Sequence, residues 1–413
     1  MSNMLKLVCI DSSFPKASFV WNEMKYLCNE FDFVYFINVN SKRETHNFTL
    51  PANSNVYYLA DEEEFTNTFL EKINLLLKIA KVLGVEYIYS KTKIKLLQHI
   101  KYHYSELKQD WFRSKKLLRI VPPVKDVIYY TYWKDNGANM LSWIKKDFPF
   151  VKTCSRLHGF DLYAERQPFG YMPYSYFNFN AIDQFFAISE QGKVYAEKNY
   201  PIVNPVIVSY LGTESFGMNP TPENDGAYSV CTCSNIIKIK RIGLLMDSLK
   251  YSNLKIKWFI IGEGEELQNI INQSQELPEN ITVEFLKRLT QKQIHDFYLE
   301  TPVNFFINVS ESEGLPVSIM EAIGYGIPVI ATNVGGTKEI VNEQTGILMN
   351  PDIKAIELKE TIDSALLNPA YSSILFRQSV KKNWSGKFCS EINFKDFCDN
   401  LKAIEVTDKR MRQ

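Results

Sequence analysis

The sequence predicts an α/β protein in which two doubly wound parallel domains face each other across a cleft. Short apolar runs with strand character alternate with segments of helical periodicity, as in parallel sheets whose strands are joined by helices. The 413 residues exceed what one hydrophobic core usually holds, so two domains are expected. The stretch 212–227, rich in Gly, Pro, Asn and Thr, has no apolar period and separates two such halves.

Each half contains a series of predicted strands and helices. In the first half, strand-like segments cover 5–10, 33–39, 56–59, 87–89, 127–132, 151–156 and 184–188, with helices near 19–29, 64–83 and 139–146. In the second half, strands are predicted at 228–233, 257–261, 281–285, 304–309 and 329–332, with helices at 242–249, 265–273 and 291–298. The predicted domains are therefore 1–211 and 228–385, with 212–227 as the linker, and ligands are expected at the carboxyl ends of both sheets.

Charge and composition exclude several classes of protein. Lys+Arg and Asp+Glu are equal at 47 each, which argues against a nucleic-acid binder. The first residues show no signal peptide, and no apolar run reaches the roughly 18 residues of a membrane span. The seven cysteines lie mostly in apolar segments and are expected to be buried free thiols in a reducing cytoplasm. The five histidines are scattered, so no metal site is expected.

The most informative segment is 310–341, SESEGLPVSIMEAIGYGIPVIATNVGGTKEIV. An apolar strand leads to a Glu-Gly-Leu-Pro turn that contains Glu313, and a helix containing Glu321 follows. The free amides and positive dipole end of that helix make an anion site, which two carboxylates flank. The pattern indicates a grip on two parts of one elongated ligand, rather than two acids acting on a single bond.

This segment resembles the donor site of the retaining family 4 glycosyltransferases, the glycosyl transferases group 1, which have the GT-B fold. The family order of Glu-Gly-Leu-Pro, Glu-Ala, Gly-Ile-Pro-Val-Ile-Ala-Thr, Gly-Gly and Glu-Ile-Val is present. The resemblance implies that Glu313 and the backbone of Gly314, Leu315 and Pro316 hold hydroxyls of a donor sugar. It implies that Glu321 accepts the ribose hydroxyls of the nucleotide, a contact that a carboxylate makes well with a cis-diol.

A basic segment after the first strand of the second half resembles the diphosphate loop of the same family. Lys240 falls on the family's lysine position, where positive charge stabilises the leaving diphosphate. The family's arginine position holds Asn235, and Arg241 or Lys238 is expected to compensate unless one charge fewer suffices. The alternative is a solvated basic turn. Gly262 is either a donor contact or a plain turn glycine.

In the first half, Arg-Leu-His-Gly-Phe-Asp resembles the family's His-Gly-x-Asp element. The resemblance implies that His158 lies near the donor sugar and the acceptor, where it bonds a hydroxyl or the developing oxocarbenium. The alternative is a structural histidine. Asp161, together with Ser13 and Phe14 of the first loop, is expected on the acceptor side.

The resemblance implies a retaining hexosyltransferase-type enzyme. It would move a sugar from a nucleoside-diphosphate sugar to a hydroxyl of a glycan or lipid-linked oligosaccharide, in polysaccharide biosynthesis, without cofactor or metal. No Asp-x-Asp occurs, so a metal-bound donor site is not supported. Residues 386–413 are expected to form a C-terminal helix that crosses back to the first domain. Two alternatives stay open: another GT-B enzyme, an epimerase or phosphorylase, or a non-catalytic GT-B subunit that binds nucleotide or a partner enzyme, which the Asn235 departure favours.

The stretch 91–125 carries ten lysines and arginines against two acids, Glu106 and Asp110, a local charge of +8 in a neutral protein. Aromatic and aliphatic residues are interleaved with these charges. One interpretation is that this stretch lies on an anionic membrane surface, which would make the protein peripheral on the inner face of the cell membrane. The other is a solvated helix face with its apolar side on the core.

Overall fold

The computed structural model describes residues 4–12, 14–15, 20–40, 49–60, 68–89, 93–167, 170–202, 204–223 and 226–406. The chain divides into two compact units. Unit 1 consists of Met1–Ser209 and Phe394–Gln413, and unit 2 of Tyr210–Asn393.

Unit 1 is built on a seven-stranded parallel sheet. Its strands are β1 (Lys6–Asp11), β2 (Phe33–Asn38), β3 (Ser54–Tyr58), β4 (Val127–Thr131), β5 (Lys152–Leu157), β6 (Gln184–Ala187) and β7 (Ile207–Val208). They are ordered β3-β2-β1-β4-β5-β6-β7, with Lys6 of β1 in register with Phe33 on one side and Val127 on the other. The first six strands follow the doubly wound order 3-2-1-4-5-6, whose switch point lies between β1 and β4.

Helices cover both faces of this sheet. They are α1 (Val20–Glu30), α2 (Phe69–Tyr89), α3 (Lys93–Gln98), α4 (Ile100–Ile120), α5 (Asn136–Asp147), α6 (Ser175–Ala181) and α7 (Glu190–Asn199), with a 3-10 turn at Ala164–Arg166. One core cluster joins β1, β4 and α5 through Val8, Tyr129 and Leu141. The strand predicted at 87–89 is wrong, because this aromatic and β-branched segment forms the last turn of α2.

Unit 2 repeats the same strand order. Its strands are β8 (Ala227–Cys233), β9 (Lys255–Ile261), β10 (Ile281–Lys287), β11 (Phe305–Asn308), β12 (Val329–Thr332) and β13 (Gly346–Met349). All are parallel and are ordered β10-β9-β8-β11-β12-β13. The switch point of this sheet therefore lies between β8 and β11.

The helices of the second half are α8 (Ile242–Leu249), α9 (Leu267–Ser274), α10 (Gln291–Glu300), α11 (Val317–Gly324), α12 (Ala355–Leu367), α13 (Pro369–Ser372), α14 (Ile374–Lys387) and α15 (Ser390–Lys402). Two 3-10 turns lie at Lys238–Lys240 and Gly335–Glu339. From Phe394 onward α15 belongs to unit 1, where the Phe397 ring packs 5.2 Å from both the Tyr130 and the Phe186 rings.

The predicted linker 212–227 is part of unit 2. The Trp384 indole donates to Thr213 Oγ1 at 2.8 Å, and Asn219 Nδ2 donates to the carbonyls of Tyr298 and Thr301 at 2.7 Å each. The stretch has the composition of a loop, but its Asn219 side chain hydrogen-bonds to backbone carbonyls of unit 2. The linker assignment is therefore wrong for the described residues of this stretch.

All seven cysteines are unpaired, and five of them are buried. Within the described ranges, no helix is long and apolar enough to cross a membrane.

Candidate functional site

The loops that follow β8 and β11 meet beyond the switch point of unit 2. The Glu311 amide donates to the Ile239 carbonyl at 2.8 Å, which joins the two loops directly. Arg241 adds a second connection, because its Nε donates to the Val309 carbonyl at 2.6 Å and its Nη1 to the Pro351 carbonyl at 2.7 Å. The ends of neighbouring strands are thus held as one surface.

Lys240 and Glu313 form an ion pair on this surface. Lys240 Nζ lies 2.6 Å from Glu313 Oε1, and Asn308 Nδ2 donates to the same oxygen at 3.2 Å. The lysine side chain is 21% exposed and the carboxylate 9% exposed, so solvent reaches the pair. Two residues 73 positions apart in sequence are brought together because β8 and β11 are neighbours in the sheet.

The turn from Glu313 to Pro316 is fixed by the loop after β12. Gly335 has φ +54°, and a Cβ at this position would lie 1.8 Å from the Glu313 carbonyl oxygen. The Gly336 amide donates to the Gly314 carbonyl at 2.7 Å. Only glycine permits this approach, so the glycine pair sets the position of the donor turn.

Helix α11 begins at Val317, directly after Pro316, whose carbonyl accepts from the Ile319 amide at 3.1 Å. Leu315 is buried and anchors the turn in the core. Glu313 therefore precedes the helix, and only Glu321 lies within it. The first amides of the helix have no intrahelical partner, which makes this end of α11 suited to polar or anionic groups.

Glu321 is buried under α10. Gln291 Nε2 donates to Glu321 Oε1 at 2.8 Å. Burial raises the pKa of Glu321 to about 7, and the hydrogen bond from Gln291 opposes that shift. The Gln291 side-chain amide also contacts His295 Nε2, and His295 Nδ1 lies 2.7 Å from the Tyr325 hydroxyl. Gln291 is therefore held by a chain of polar contacts.

Gly262 and Arg241, which were both predicted to contact the donor, contact other loops of the protein in the structure. Gly262 has φ +140°, and a Cβ there would lie 1.9 Å from the Ser234 carbonyl oxygen, so this glycine allows the loops after β8 and β9 to touch. The Arg241 guanidinium donates hydrogen bonds to backbone carbonyls, which does not support the prediction that Arg241 replaces the family arginine. Asn235 and Lys238 lie in the same loop and are exposed.

In unit 1, His158 follows β5 and packs against two neighbouring aromatic rings. Its ring centroid is 4.1 Å from that of Trp133 and 4.8 Å from that of Tyr132. Burial lowers the pKa of His158, although the nearby Asp161 carboxylate opposes the shift. Nδ1 faces Asp161 Oδ2 at 3.4 Å, and Nε2 is buried without a partner among the described residues. A neutral ring with its proton on Nδ1 therefore presents Nε2 as an acceptor.

Asp161 closes the loops after β4 and β5. Its Oδ1 accepts from the His158 amide at 2.6 Å and its Oδ2 from the Lys134 amide at 2.8 Å. Burial acts to raise the pKa of Asp161, but the hydrogen bonds and the His158 ring outweigh it, so the pKa is lowered. Asp161 therefore positions these loops, and it also lines the unit 1 pocket, so its predicted place on the acceptor side stays a prediction.

Of the two first-loop residues predicted on the acceptor side, only Phe14 lies within the described part of the chain. Ser13 lies outside the described residues. Phe14 is 1% exposed and stacks on Phe36 with ring centroids 4.7 Å apart, so its side chain belongs to the core. The acceptor-side prediction for the Phe14 side chain is wrong, because an aromatic residue in a loop after a central strand was packed inward.

Unit 1 contains a pocket of about 540 Å³ beside these loops. Its lining includes Tyr102 and Glu106 from α4, Trp133 and Lys134 after β4, and Asn178 from α6. Burial lowers the pKa of Lys134 to about 8, with Asp161 foremost among the carboxylates that oppose the shift. Aromatic faces beside amide and carboxylate groups suit a small polar ligand with both apolar and hydroxyl surfaces.

The basic stretch 91–125 does not form one charged face. Arg113 pairs with Asp110 at 2.9 Å and Lys115 with Asp147 at 2.8 Å, while Lys116 is buried. Helix α4 thus turns part of its charge toward its own unit. The interpretation of this stretch as a membrane surface therefore does not hold for the charges of Arg113, Lys115 and Lys116, which are paired or buried. In the part of the chain that the structure describes, no cluster of three or more His, Cys, Asp or Glu could hold a metal ion.

Comparison with known proteins adds to this geometry. Residues 214–383 match the family model for glycosyl transferases group 1. Sucrose-phosphate synthase from Thermosynechococcus elongatus superposes with a TM-score of 0.69 at 15% identity, covering 96% of this chain and 98% of that one. The fold is GT-B. Residues 214–383 of this chain are similar to the glycosyl transferases group 1.

A second solved structure has the same fold, and two curated relatives are similar in sequence over part of the chain. HepE from Anabaena in complex with UDP-glucose has a TM-score of 0.64 at 14% identity, covering 97% of this chain and all of that one. The GtfA subunit of a UDP-N-acetylglucosamine--peptide N-acetylglucosaminyltransferase from Streptococcus agalactiae is 27% identical over 226 residues, 52% of this chain and 41% of the relative. The O-antigen biosynthesis glycosyltransferase WbnH from Escherichia coli is 29% identical over 168 residues, 40% and 46% of the two chains. The chain thus spans less than half the length of either curated relative.

The group 1 segment contains Lys240, Glu313 and Glu321. The narrower assignment to family 4 and the retaining outcome stay predictions. Sequence reasoning missed Gln291 and Asn308, which contact the two glutamates. Asn308 carried a weak signal, since it is a polar residue at the end of an apolar strand, whereas nothing in the sequence near Gln291 points to Glu321.

Proposed function

We propose that this protein is a retaining glycosyltransferase. It moves a sugar from a nucleoside-diphosphate sugar to a hydroxyl of a glycan or lipid-linked oligosaccharide. The observation that carries the proposal is the Lys240–Glu313 pair at the switch point of the unit 2 sheet, with its charged atoms 2.6 Å apart and its lysine partly exposed. A cation beside a carboxylate matches a ligand that has phosphate at one point and hydroxyls at the next.

Lys240 serves the leaving group. When the bond between the sugar's anomeric carbon and the diphosphate oxygen breaks, negative charge collects on the diphosphate, and a fixed ammonium stabilises it. In the front-side mechanism, the acceptor hydroxyl forms the new bond on the same face and its proton passes to a diphosphate oxygen. No protein carboxylate has to act as nucleophile, in contrast to a retaining glycosidase.

Glu313 and Glu321 hold the two ends of the donor. Glu313 is placed by Asn308 and accepts from sugar hydroxyls, while the amides at the start of α11 donate to the sugar. Glu321 accepts from both ribose hydroxyls. The pKa of Glu321 is about 7 in the ligand-free protein. Hydrogen bonds from the ribose hydroxyls favour the ionised carboxylate, so donor binding favours that form.

The acceptor is assigned to the unit 1 pocket. Tyr102 and Trp133 offer faces for a sugar ring, and Glu106 and Asn178 offer hydrogen-bonding groups. The unpartnered Nε2 of His158 accepts from a sugar hydroxyl, in line with its lowered pKa. A neutral histidine packed against aromatic rings suits binding of a hydroxyl better than proton abstraction.

Three similar proteins narrow the donor and the setting. The names of the GtfA relative and of the HepE complex contain UDP-N-acetylglucosamine and UDP-glucose, which supports a uridine diphosphate sugar. WbnH supports a place in polysaccharide biosynthesis. Seven unpaired cysteines support a reducing cytoplasm. Because Lys240 supplies charge for the diphosphate, transfer is expected to be independent of metal and unaffected by a chelator.

The test is calorimetric binding of UDP, GDP, ADP and CDP to the full chain. UDP is expected to bind best, and Glu321→Gln is expected to lose most of that affinity. The anomeric configuration of the transferred sugar, followed by NMR, then decides retention. Binding of none of the four nucleotides by folded protein would contradict the donor site.

A second candidate is a non-catalytic subunit that binds nucleotide without transfer. Asn235 favours it, because an exposed amide stands where the family carries an arginine. This candidate predicts nucleotide binding with no turnover for any donor, and a gain of turnover in Asn235→Arg. Turnover by the unmodified protein excludes it.

A further inference from the structure

Helix α2 of unit 1 carries two adjoining apolar faces. One face is buried in a core cluster through Leu75, Ile79, Val82 and Leu83. The other face is open to solvent. We call this second surface the α2 face, and its exposed side chains are Phe69, Leu70, Ile73, Leu76, Leu77 and Ile88.

The α2 face is a continuous stripe. At 100° per residue, its six positions fall within an arc of about 120° on the helix. Leu70 is 76% exposed and Leu77 is 63% exposed, values that are unusual for aliphatic side chains on one surface. Of the 23 large hydrophobic side chains that are exposed among the described residues, ten lie between Phe69 and Tyr102. A patch this concentrated indicates an interaction surface.

An apolar groove of about 540 Å³ runs beside the α2 face, between α2 and the α3–α4 segment. Leu76 and Tyr87 of α2 line it on one side, and Leu97 and Ile100 line it on the other. Lys101 is the one charged residue that lines it. The groove extends the apolar surface from α2 to the α3–α4 segment, so a flat or fluid partner such as a lipid surface can contact both parts.

Positive charge surrounds this apolar surface. Lys72 and Lys81 are exposed and lie about 40° and 20° outside the two edges of the stripe. Lys95 and Lys101 are exposed on the neighbouring segment. Glu71 is the acid exposed within the described part of α2, and it accepts from the amide and hydroxyl of Thr68 at the start of the helix.

We infer that the α2 face docks on a lipid surface that contains anionic lipids, with α2 lying along the surface. The apolar side chains enter the boundary between headgroups and acyl chains, and the flanking lysines reach the headgroup phosphates. This surface includes Lys95 and Lys101 of the basic stretch 91–125, but not Arg113 or Lys115 of α4, whose charges are paired. Helix α4 connects the surface to the proposed acceptor pocket, because Ile100 lines the groove and Tyr102 and Glu106 line the pocket.

The inference is tested by sedimentation of the full chain with sucrose-loaded vesicles, in the absence of any donor. Vesicles of equal parts phosphatidylglycerol and phosphatidylcholine are compared with vesicles of phosphatidylcholine alone. We expect binding to the mixed vesicles that weakens at high salt. The double variant Leu70→Glu/Leu77→Glu should reduce partitioning about tenfold or more, because it places acids in the apolar stripe.

Control variants distinguish a specific effect at the α2 face from a general effect of adding negative charge to the protein. Val194→Glu, at a 60% exposed position on α7, should leave vesicle binding unchanged. Lys72→Glu/Lys81→Glu should remove the preference for anionic vesicles, whereas Lys198→Glu on α7 should not. Thermal unfolding of each variant checks that the fold is intact, as expected for substitutions at exposed positions.

Two results would overturn the inference. One is the absence of vesicle binding by the unmodified protein. The other is a dimer, measured by light scattering, that Leu70→Glu/Leu77→Glu converts to a monomer, which would make the α2 face a contact between two copies. Vesicle binding does not depend on transfer, so failure of the proposed enzyme activity would leave this result standing, and the reverse also holds.

Discussion

The two sheets have the same strand order, but they place charge differently at their carboxyl ends. In unit 2, Lys240 and Glu313 meet after β8 and β11, and the lysine is partly exposed. In unit 1, Asp161 is occupied by backbone amides, and Arg156 at the end of β5 is fully buried against Glu23 and the Phe397 ring. Burial lowers the pKa of Arg156 to about 9, which is the mark of a structural charge.

This difference indicates what each unit can bind. A solvent-accessible ion pair beside a helix end can exchange its partner for phosphate, so unit 2 suits a charged ligand. Unit 1 uses its charges to hold loops and leaves aromatic, amide and carboxylate groups around its pocket. One topology thus supports a site for an anion and a site for an uncharged sugar.

Removing Lys240 tests the comparison most severely. Lys240→Ala should lower turnover about 100-fold or more, because the leaving diphosphate loses its fixed positive charge, with a smaller loss in nucleotide affinity. The measurement is steady-state release of UDP from UDP-sugars. Lys255→Ala, at an exposed position where β9 begins and so at the amino end of the sheet, is the control and should stay near the unmodified rate. Turnover within about threefold in Lys240→Ala would remove its role at the leaving group.

Glu321→Gln should reduce nucleotide affinity about 30-fold, through loss of charged hydrogen bonds to the ribose. The raised pKa adds a pH dependence. Below about pH 7 the carboxyl of the ligand-free protein is protonated, and ligand hydroxyls favour its ionised form. Affinity should therefore rise as pH increases through about 7 and level off above it.

Calorimetry at several pH values checks this dependence. Glu321→Gln should retain only the titration of the nucleotide itself. The same shift makes the free energy of unfolding fall between about pH 4.5 and 7, because the folded protein then binds more protons than the unfolded chain. Identical pH profiles for both proteins would refute the assignment.

Gln291→Leu sharpens the role of Glu321. The hydrogen bond from Gln291 lowers the pKa of Glu321, so its loss should raise that pKa further and move the binding profile to higher pH. At neutral pH, nucleotide affinity should fall about fivefold. Lys292→Ala, exposed on the same helix, should leave the profile in place. An unshifted midpoint in Gln291→Leu would mean that this contact does not tune Glu321.

Tyr102→Ala gives the smallest expected effect and tests unit 1. Loss of an aromatic face in the pocket should raise the KM for the acceptor about threefold to fivefold, with nucleotide affinity unchanged. Tyr251→Ala, at a similarly exposed position of unit 2, is the control. A change in nucleotide affinity, without a change in acceptor KM, would place the effect of Tyr102 outside the acceptor pocket.

The sequence predicted unit 2 better than unit 1 for a physical reason. The elements of the proposed donor site are local in sequence, because a strand, a turn and a helix follow each other from β11 to α11. The glycine and proline of the turn also indicate its backbone conformation. The unit 1 pocket is assembled from α4, α6 and the loop after β4, segments that no local pattern connects. Phe14 was predicted to face a ligand, but its ring is buried in the core. The end of α2 was predicted as a strand because aromatic and β-branched residues favour strands.

Contacts between side chains also escaped prediction. Gln291 reaches Glu321 from 30 positions away, and Arg241, expected to face a ligand, turned to backbone carbonyls instead. A basic residue in a motif loop has the same appearance in sequence whether it binds a ligand or the loop.

Arg241 has a thermodynamic consequence for ligand binding. It adopts a left-handed conformation, with φ 50°, and holds carbonyls of Val309, Ser310 and Pro351 before any ligand arrives. The loops are therefore preorganised, and nucleotide binding should carry little entropy loss from ordering the chain. The heat-capacity change of nucleotide binding should then match burial of the nucleotide surface alone, without the added contribution of a folding loop.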